Sequence, residues 1–243
     1  MQSRPISHPV SLLHALLLGA SFILASAPLL AQPASAPLSE QLQAQSAGAA
    51  ARRDFAQFAQ HHLQTRSGLP AGFPLDVNDV GDLKDAKIGR GFQVYTIDPG
   101  DIVAGRSDFG TMVKASGVWR FFIMLNERPI GLATLEQVDG KWETVAYGGA
   151  VLSKDLEALT VVHGNAQASN LRFIRIFQAQ SDFLEVRSGT DAKARYAPLQ
   201  SAREALLLQR ARPTDQGGDG LIDAADFLEP LRAAVKSNMA TFR

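Results

Sequence analysis

An α+β fold is the expectation from three features of the sequence. Strand-like runs between Trp119 and Tyr147 follow one another through tight-turn signals, the pattern of an antiparallel sheet. Helical periodicity gathers near the two ends of the chain instead of alternating with single strands, which separates this pattern from a βαβ array. Hydrophobic residues make up 46% of the 243 positions and there is no cysteine. The fold must therefore be held by an ordinary apolar core, without disulfides, a lipid-modified cysteine, a thiol nucleophile or a thiolate-bound metal.

At the N-terminus, Arg4 precedes an uncharged apolar run from Val10 to Leu30, followed by small residues and prolines. That order is a bacterial secretory signal, expected to occupy residues 1–31. Ala25-Ser26-Ala27 and Ala34-Ser35-Ala36 fit the small-x-small rule, but Pro28 and Pro37 follow them, so cleavage after Ala31 is the compromise. An uncleaved anchor is the rival reading, because the run is about long enough to span a bilayer. Pro28 and the interspersed Ser, Gly and His residues weigh against it. The expected location is the periplasm or the medium. The 24 acidic and 24 basic residues form no long single-sign run. This argues against a nucleic-acid partner and, after signal cleavage, against a membrane partner. An unknown protein partner of the envelope is the class that remains.

Residues 32–38 read as a Pro/Ala/Ser-rich disordered leader, and residues 39–243 as a single domain. Ser39 caps a helix expected to run to about Gln64, with Phe55, Phe58, Ala59, His62 and Leu63 as its apolar stripe. Gly68, Pro70, Gly72 and Pro74 stop it. Residues 75–117, rich in Asp and Gly, yield one clear strand, Phe92 to Ile97, turned by Pro99-Gly100. A three-stranded meander follows. Trp119 to Leu125 and Ile130 to Gln137 flank a turn at 126–129, and Asp139-Gly140 supplies the positive-φ pair before Trp142 to Tyr147. Ser153 is the expected cap of a helix ending near His163-Gly164, with Asp155 and Glu157 at its positive end. Leu171 to Ala179 reads as a strand apolar on both faces, hence interior, pairing with Phe183 to Val186 across Ser181-Asp182. Ser201 and Glu204 form a capping box for a helix to about Ala211, and a last helix covers roughly 224–240. Together these make a C-terminal helix-loop-helix at about 201–240.

The order of these signals carries a resemblance. Phe92 to Pro99, the Trp119 strand, the Asp139 to Trp142 turn with Gly148-Gly149, Phe183 to Val186, and Pro198 to Ala202 together resemble a group of uncharacterised exported bacterial proteins of unknown function. The similarity covers residues 83–207. It implies export and an α+β fold, and assigns no activity.

One segment makes a chemical claim. Residues 215–226 resemble the twelve-residue calcium loop of EF-hand proteins, with a final Asp like that of dockerins. Calcium takes oxygen ligands, several of them carboxylate. Asp215, Asp219, Asp223 and Asp226 stand at the first, fifth, ninth and twelfth positions, and Leu221 offers its carbonyl. Gly220 permits the sharp turn and Ile222 holds the apolar position. Gly217 replaces a usual ligand, Asp226 is shorter than the usual Glu, and Pro213 and Pro230 crowd the flanking helices. A capped interhelical turn without metal is the competing reading, with Asp223 as N-cap and Asp226 in the first turn.

Other candidates give less. His61 and His62 lie about 100° apart on a helix and cannot share an ion as an i, i+4 pair would. His62 reads as packing, His61 as solvated, and His163 as a helix-end residue. No Gly-x-Ser-x-Gly, Ser-x-x-Lys or phosphate loop is present. Trp119 and Trp142 are read as core or cross-strand partners before ligand-cleft residues. The sequence thus points to an exported non-enzymatic binding or accessory protein with a possible calcium brace. The alternative is a periplasmic hydrolase-like enzyme using His163 and carboxylates of 75–117.

Overall fold

The computed structural model describes residues 38–65, 68–189, 193–208 and 219–241. The expected signal or anchor, the leader up to residue 37, and Asp215 of the calcium loop lie outside the described residues. Among the described residues, no helix is long and apolar enough to cross a membrane.

The first helix, α1 (Leu38–Thr65), buries Ala47, Gly48, Ala50, Ala51, Phe55 and Ala59. Its apolar stripe therefore starts earlier than the aromatic one, and is made of small residues that let the helix lie close to the sheet. A 3-10 turn at Val80–Lys84 leads into β1 (Lys87–Ile97). Two short helices follow, α2 (Pro99–Val103) and α3 (Phe109–Met112), before β2 (Val113–Leu125), β3 (Arg128–Val138) and β4 (Lys141–Gly148). The meander is as expected, with longer strands. Both hairpins turn through two positive-φ residues, Asn126-Glu127 (48° and 63°) and Asp139-Gly140 (48° and 74°).

Helix α4 (Ala150–His163) crosses one face of the sheet and leads to β5 (Leu171–Ile176), β6 (Ser181–Val186) and β7 (Arg195–Pro198). Helix α5 (Gln200–Ala205) and α6 (Ala224–Thr241) complete the described chain. The strand order is β4-β3-β2-β1-β5-β6-β7, a seven-stranded sheet. Every pairing is antiparallel except β1 with β5, which is parallel. A mixed, largely antiparallel sheet with long helices near both ends of the described chain makes this an α+β protein.

Register fixes two faces. Trp119, Phe121 and Ile123 of β2 meet α1 in one apolar cluster. Ile174, Ile176, Phe183 and Tyr196 meet Phe227 and Leu231 of α6 in a second, on the same side. Val94, Phe122, Phe173 and Leu184 point the opposite way, onto Leu156 of α4. β5 is thus apolar on both faces, as its composition indicates.

Several local expectations are corrected. Ser153 does not cap α4: Gly149 occupies the N-cap at φ 69°, and Ser153 is buried one turn in, donating to the Ala150 carbonyl. Gly148-Gly149 turns the chain so sharply that the helix starts before the first good capping side chain. Ser201 and Glu204 make no capping box. Leu199 is the N-cap, the Ser201 hydroxyl donates to Asp182, and Glu204 accepts from Gln200. α5 also ends at Ala205, short of Ala211. Ser181 and Asp182 belong to β6, because the reversal from β5 occurs earlier, in a 3-10 turn closed by Gln180 at φ 49°. The strand β7, four residues long, carries no alternation by which sequence could mark it.

Gly91 sits where β1 bulges between Ile88 and Gly91 against β2. A Cβ there would lie 2.3 Å from the Phe121 ring, which is itself buried under α1. Gly91→Ala is expected to cost about 1–3 kcal/mol through overpacking. Urea midpoints of the two proteins check this; coincident midpoints would show that the Phe121 ring yields freely.

Candidate functional site

β1 and β5 share only two register pairs, Val94 with Phe173 and Tyr95 with Ile174. β5 begins at Leu171, so the first half of β1 has no neighbour on that side. The sheet is therefore notched, and the notch opens a cleft of about 420 Å³. Helices close it from both faces. Glu40 and Ala44 of α1 lie on one side, and Leu156 and Thr160 of α4 on the other. The α4–β5 connection forms the rim with Gln167, Ala168 and Ser169.

That rim is shaped by two asparagines. Asn165 Nδ2 donates to Ser169 Oγ at 2.9 Å while its Oδ1 accepts the Ser169 N–H at 2.9 Å. Asn170 Oδ1 accepts the Asn165 N–H at 2.8 Å, and its Nδ2 donates to the His163 carbonyl at 2.9 Å. The connection is thus closed on itself, which fixes its distance from β1.

The cleft walls are aromatic. Phe92 lies 5.5 Å from Phe122 and 5.3 Å from Phe173, centroid to centroid. Tyr95 and Trp119 line the opposite side. The Trp119 indole N–H is buried with no hydrogen-bond partner among the described residues. Two cations border the cleft, and each is already engaged. Arg90 reaches Glu157 of α4 at 3.0 Å and lies 4.9 Å from the Phe122 centroid. Arg172 lies 5.2 Å from the Tyr95 centroid and grips Glu185 with two nitrogens, at 2.9 and 2.8 Å. Glu185 is fully buried and also accepts from Arg187 at 2.6 Å. Burial, and then the Glu40 carboxylate, raise the Tyr95 phenol above its ordinary value, so it is a protonated donor at neutral pH. The Thr160 hydroxyl is committed to the Leu156 carbonyl at 2.8 Å. The lining is suited to enclosing an apolar or aromatic body.

Of the residues singled out from sequence, Trp119 lines the cleft and the others lie elsewhere. His62 packs between Phe58 and Phe73, with centroids 4.5 and 5.2 Å away, and His61 is exposed. Trp142 is half-buried against the α1 cluster. Carboxylates of 75–117 serve the backbone. Asp79 and Asp82 form a reciprocal cap on the first 3-10 turn, while Asp98 and Asp108 cap α2 and α3. Asp76 pairs with Lys154 at 2.6 Å.

At the C-terminal loop, Gly220 does adopt positive φ, 72°. Asp219 Oδ2 accepts from Arg195 at 2.6 Å, and Arg195 also donates to the Leu221 carbonyl. Burial pushes the Asp219 carboxyl up, but the Leu221 N–H, Arg195 and His163 together hold it below its ordinary value. Asp223 pairs with Lys193 at 3.4 Å, and Asp226 Oδ2 accepts the Asp223 N–H at 2.9 Å. Ile222 bridges to Tyr196 of β7. Among the described residues no three His, Cys, Asp or Glu side chains converge as a metal cage. Arg195, invisible as a loop partner in the sequence, holds Asp219 and the Leu221 carbonyl together.

Sequence reasoning missed the cleft because its walls come from β1, β2, β5, α1 and α4. The alternation of FQVYTI and the aromatic pair in WRFFIML place aromatics on both faces, but nothing local says that β5 starts late. No family model matches the chain, and no curated protein or solved structure is significantly similar to it.

Beside the cleft, Asp182 is buried in β6 at 3% exposure. Burial raises its carboxyl, against the pull of Arg175, Ser201 and Arg120. A raised folded-state value means that the native protein holds this proton more tightly than the unfolded chain does. The contribution is therefore largest below the unfolded value and declines as pH rises through the folded one. Asp182→Asn should abolish that decline. Urea unfolding of both proteins from about pH 3.5 to about pH 7 checks it; parallel stability curves would contradict the assignment.

Proposed function

We propose that this chain is an exported, non-enzymatic binding protein whose ligand is a small, largely apolar molecule held in the cleft between β1 and β5. The observation that carries the reading is the aromatic cleft of about 420 Å³ itself, walled by Phe92, Phe122, Phe173 and Trp119. An apolar or aromatic ligand would stack on Phe92 and Phe173, burying ring surface worth about 25 cal/mol per Å². The volume falls in the range of small-molecule sites, about 300–1,000 Å³. The arginines at its border are engaged, Arg90 with Glu157 and Arg172 with Glu185, which suits retention of a ligand more than its conversion. Export rests on the N-terminal sequence and on the resemblance drawn from residues 83–207.

The calcium brace of the C-terminal loop takes a definite form in the same proposal. An ion would have to displace Arg195 from Asp219 and the Leu221 carbonyl. Its test is a thermal melt of the full chain in millimolar calcium and in chelator, in which a higher midpoint in calcium should vanish in Asp219→Ala. Coincident melts would leave Arg195 as the brace of a capped turn.

The ligand reading is tested with N-phenylnaphthylamine, an apolar fluorophore that accepts energy from tryptophan. Saturable binding is expected, with quenching of Trp119 emission. Ala44→Phe, which fills the α1 side of the cleft, should weaken it at least about tenfold, or about 1.4 kcal/mol. Non-saturable binding, or equal binding by Ala44→Phe, would dispose of the cleft as the site.

A further inference from the structure

The sheet face under α4 carries a second polar set that the cleft does not use. Register places it. Phe122 of β2, Phe173 of β5 and Leu184 of β6 form part of the apolar cluster beneath α4. On the same face, Arg120 of β2 stands opposite Phe92 of β1, and Arg175 of β5 stands opposite Asp182 of β6, two residues on from Phe173. The apolar cluster on this face is thus bordered by charged side chains.

The charges do not balance. Arg175 Nη1 lies 3.3 Å from Asp182 Oδ2, which also accepts the Ser201 hydroxyl at 2.9 Å. Arg120 has no such partner. Its guanidinium lies 5.7 Å from the Phe173 centroid, and its Nε and Nη1 are buried with no hydrogen-bond partner among the described residues. Asp182 Oδ1 is likewise buried and unpartnered. Two guanidiniums therefore share one carboxylate. Buried ionic donors are retained in proteins when something accepts from them, and an orphan of this kind marks a missing water or ion.

We propose that Arg120 and Arg175 form an oxyanion site on this face, taking one carboxylate or phosphate group between β2 and β5 with the Phe173 ring as its floor. A bridging water between Arg120 and Asp182 would occupy the orphan atoms but leave the excess positive charge in place. An oxyanion supplies acceptors to Nε and Nη1 and neutralises that charge, and the planar guanidinium matches carboxylate and phosphate oxygens. The site is reachable from solvent at Arg175, whose side chain is 30% exposed. Asp182, the one opposing charge, accepts a proton more readily than a surface carboxylate because burial disfavours its ionised form. The inference is independent of the ligand in the cleft, since Arg120 and Arg175 lie on the far side of Phe173 and do not line it.

The test is a titration of the full chain with sodium phosphate and, separately, sodium acetate, at ionic strength held constant with sodium chloride. Either anion at about 100 times its dissociation constant should raise the melting midpoint by about 5–10 °C, and the Arg120 Nε–H NMR signal should shift saturably. A response to acetate as well as phosphate identifies a carboxylate-sized site, and phosphate alone a phosphate site; both support the proposal. Arg120→Met should lose the response while melting no lower than wild type in chloride alone, because it removes an unpaired buried charge. An unmoved Arg120 signal, or an anion response retained in Arg120→Met, overturns the proposal. If Arg120→Met does not fold, the wild-type Nε–H titration decides by itself.

Discussion

The parallel pairing of β1 with β5 is the joint on which the structure depends. Antiparallel neighbours can be connected by two residues, as Asn126-Glu127 and Asp139-Gly140 do here, but a parallel neighbour needs a crossover. Helix α4 is the last leg of that crossover. It takes the chain from β4 at one sheet edge back across the face to β5, beside β1. The four strands β4-β3-β2-β1 and the three strands β5-β6-β7 are each held by hairpin-like ladders. Two register pairs and the side chains on either face hold them together. The short joint leaves the first half of β1 without a neighbour on its β5 side and so creates the cleft.

Side-chain packing supplies what the short ladder lacks. Phe173 of β5 inserts between Phe92 and Leu184 beneath α4, and Ile174 on the opposite face joins the α6 cluster. One strand thus contributes to two cores. Burying apolar surface is worth about 25 cal/mol per Å², and non-directional burial tolerates a truncated ladder as long as both faces are covered. α4 on one side, and α1 with α6 on the other, provide that cover.

The β5–β6 hairpin also carries the buried charge of the molecule. On one face Glu185 is enclosed by Arg172 and Arg187, and on the other Asp182 by Arg175 and Ser201. Such groups add little net stability over apolar residues, because desolvation consumes most of the Coulombic gain. They do specify register. A one-residue slip would move both carboxylates to the wrong faces and leave each without its arginine. Next to a joint made of two parallel pairs, that specification determines where the cleft and the Arg175–Asp182 pair lie relative to α4.

Local chemistry was legible in the chain. Alternation and the Asp139-Gly140 pair gave the meander, breakers after Gln64 gave the end of α1, and the two apolar faces of Leu171–Ile176 gave an interior strand. Each is written within a few neighbouring residues and needs no distant partner. Capping was less legible. Ser153, Ser201 and Glu204 have the right side chains, but a Gly148-Gly149 turn and a buried Asp182 outcompeted the local choice. The calcium-like spacing of Asp219, Leu221, Asp223 and Asp226 was visible, whereas Arg195, which grips two of those oxygens, comes from a separate strand. Tertiary structure alone decided the strand order, the late start of β5, the cleft and the pairing of buried charges. These are set by contacts between residues tens of positions apart, and hydrophobic periodicity specifies which face a residue takes without saying which strand will lie beside it.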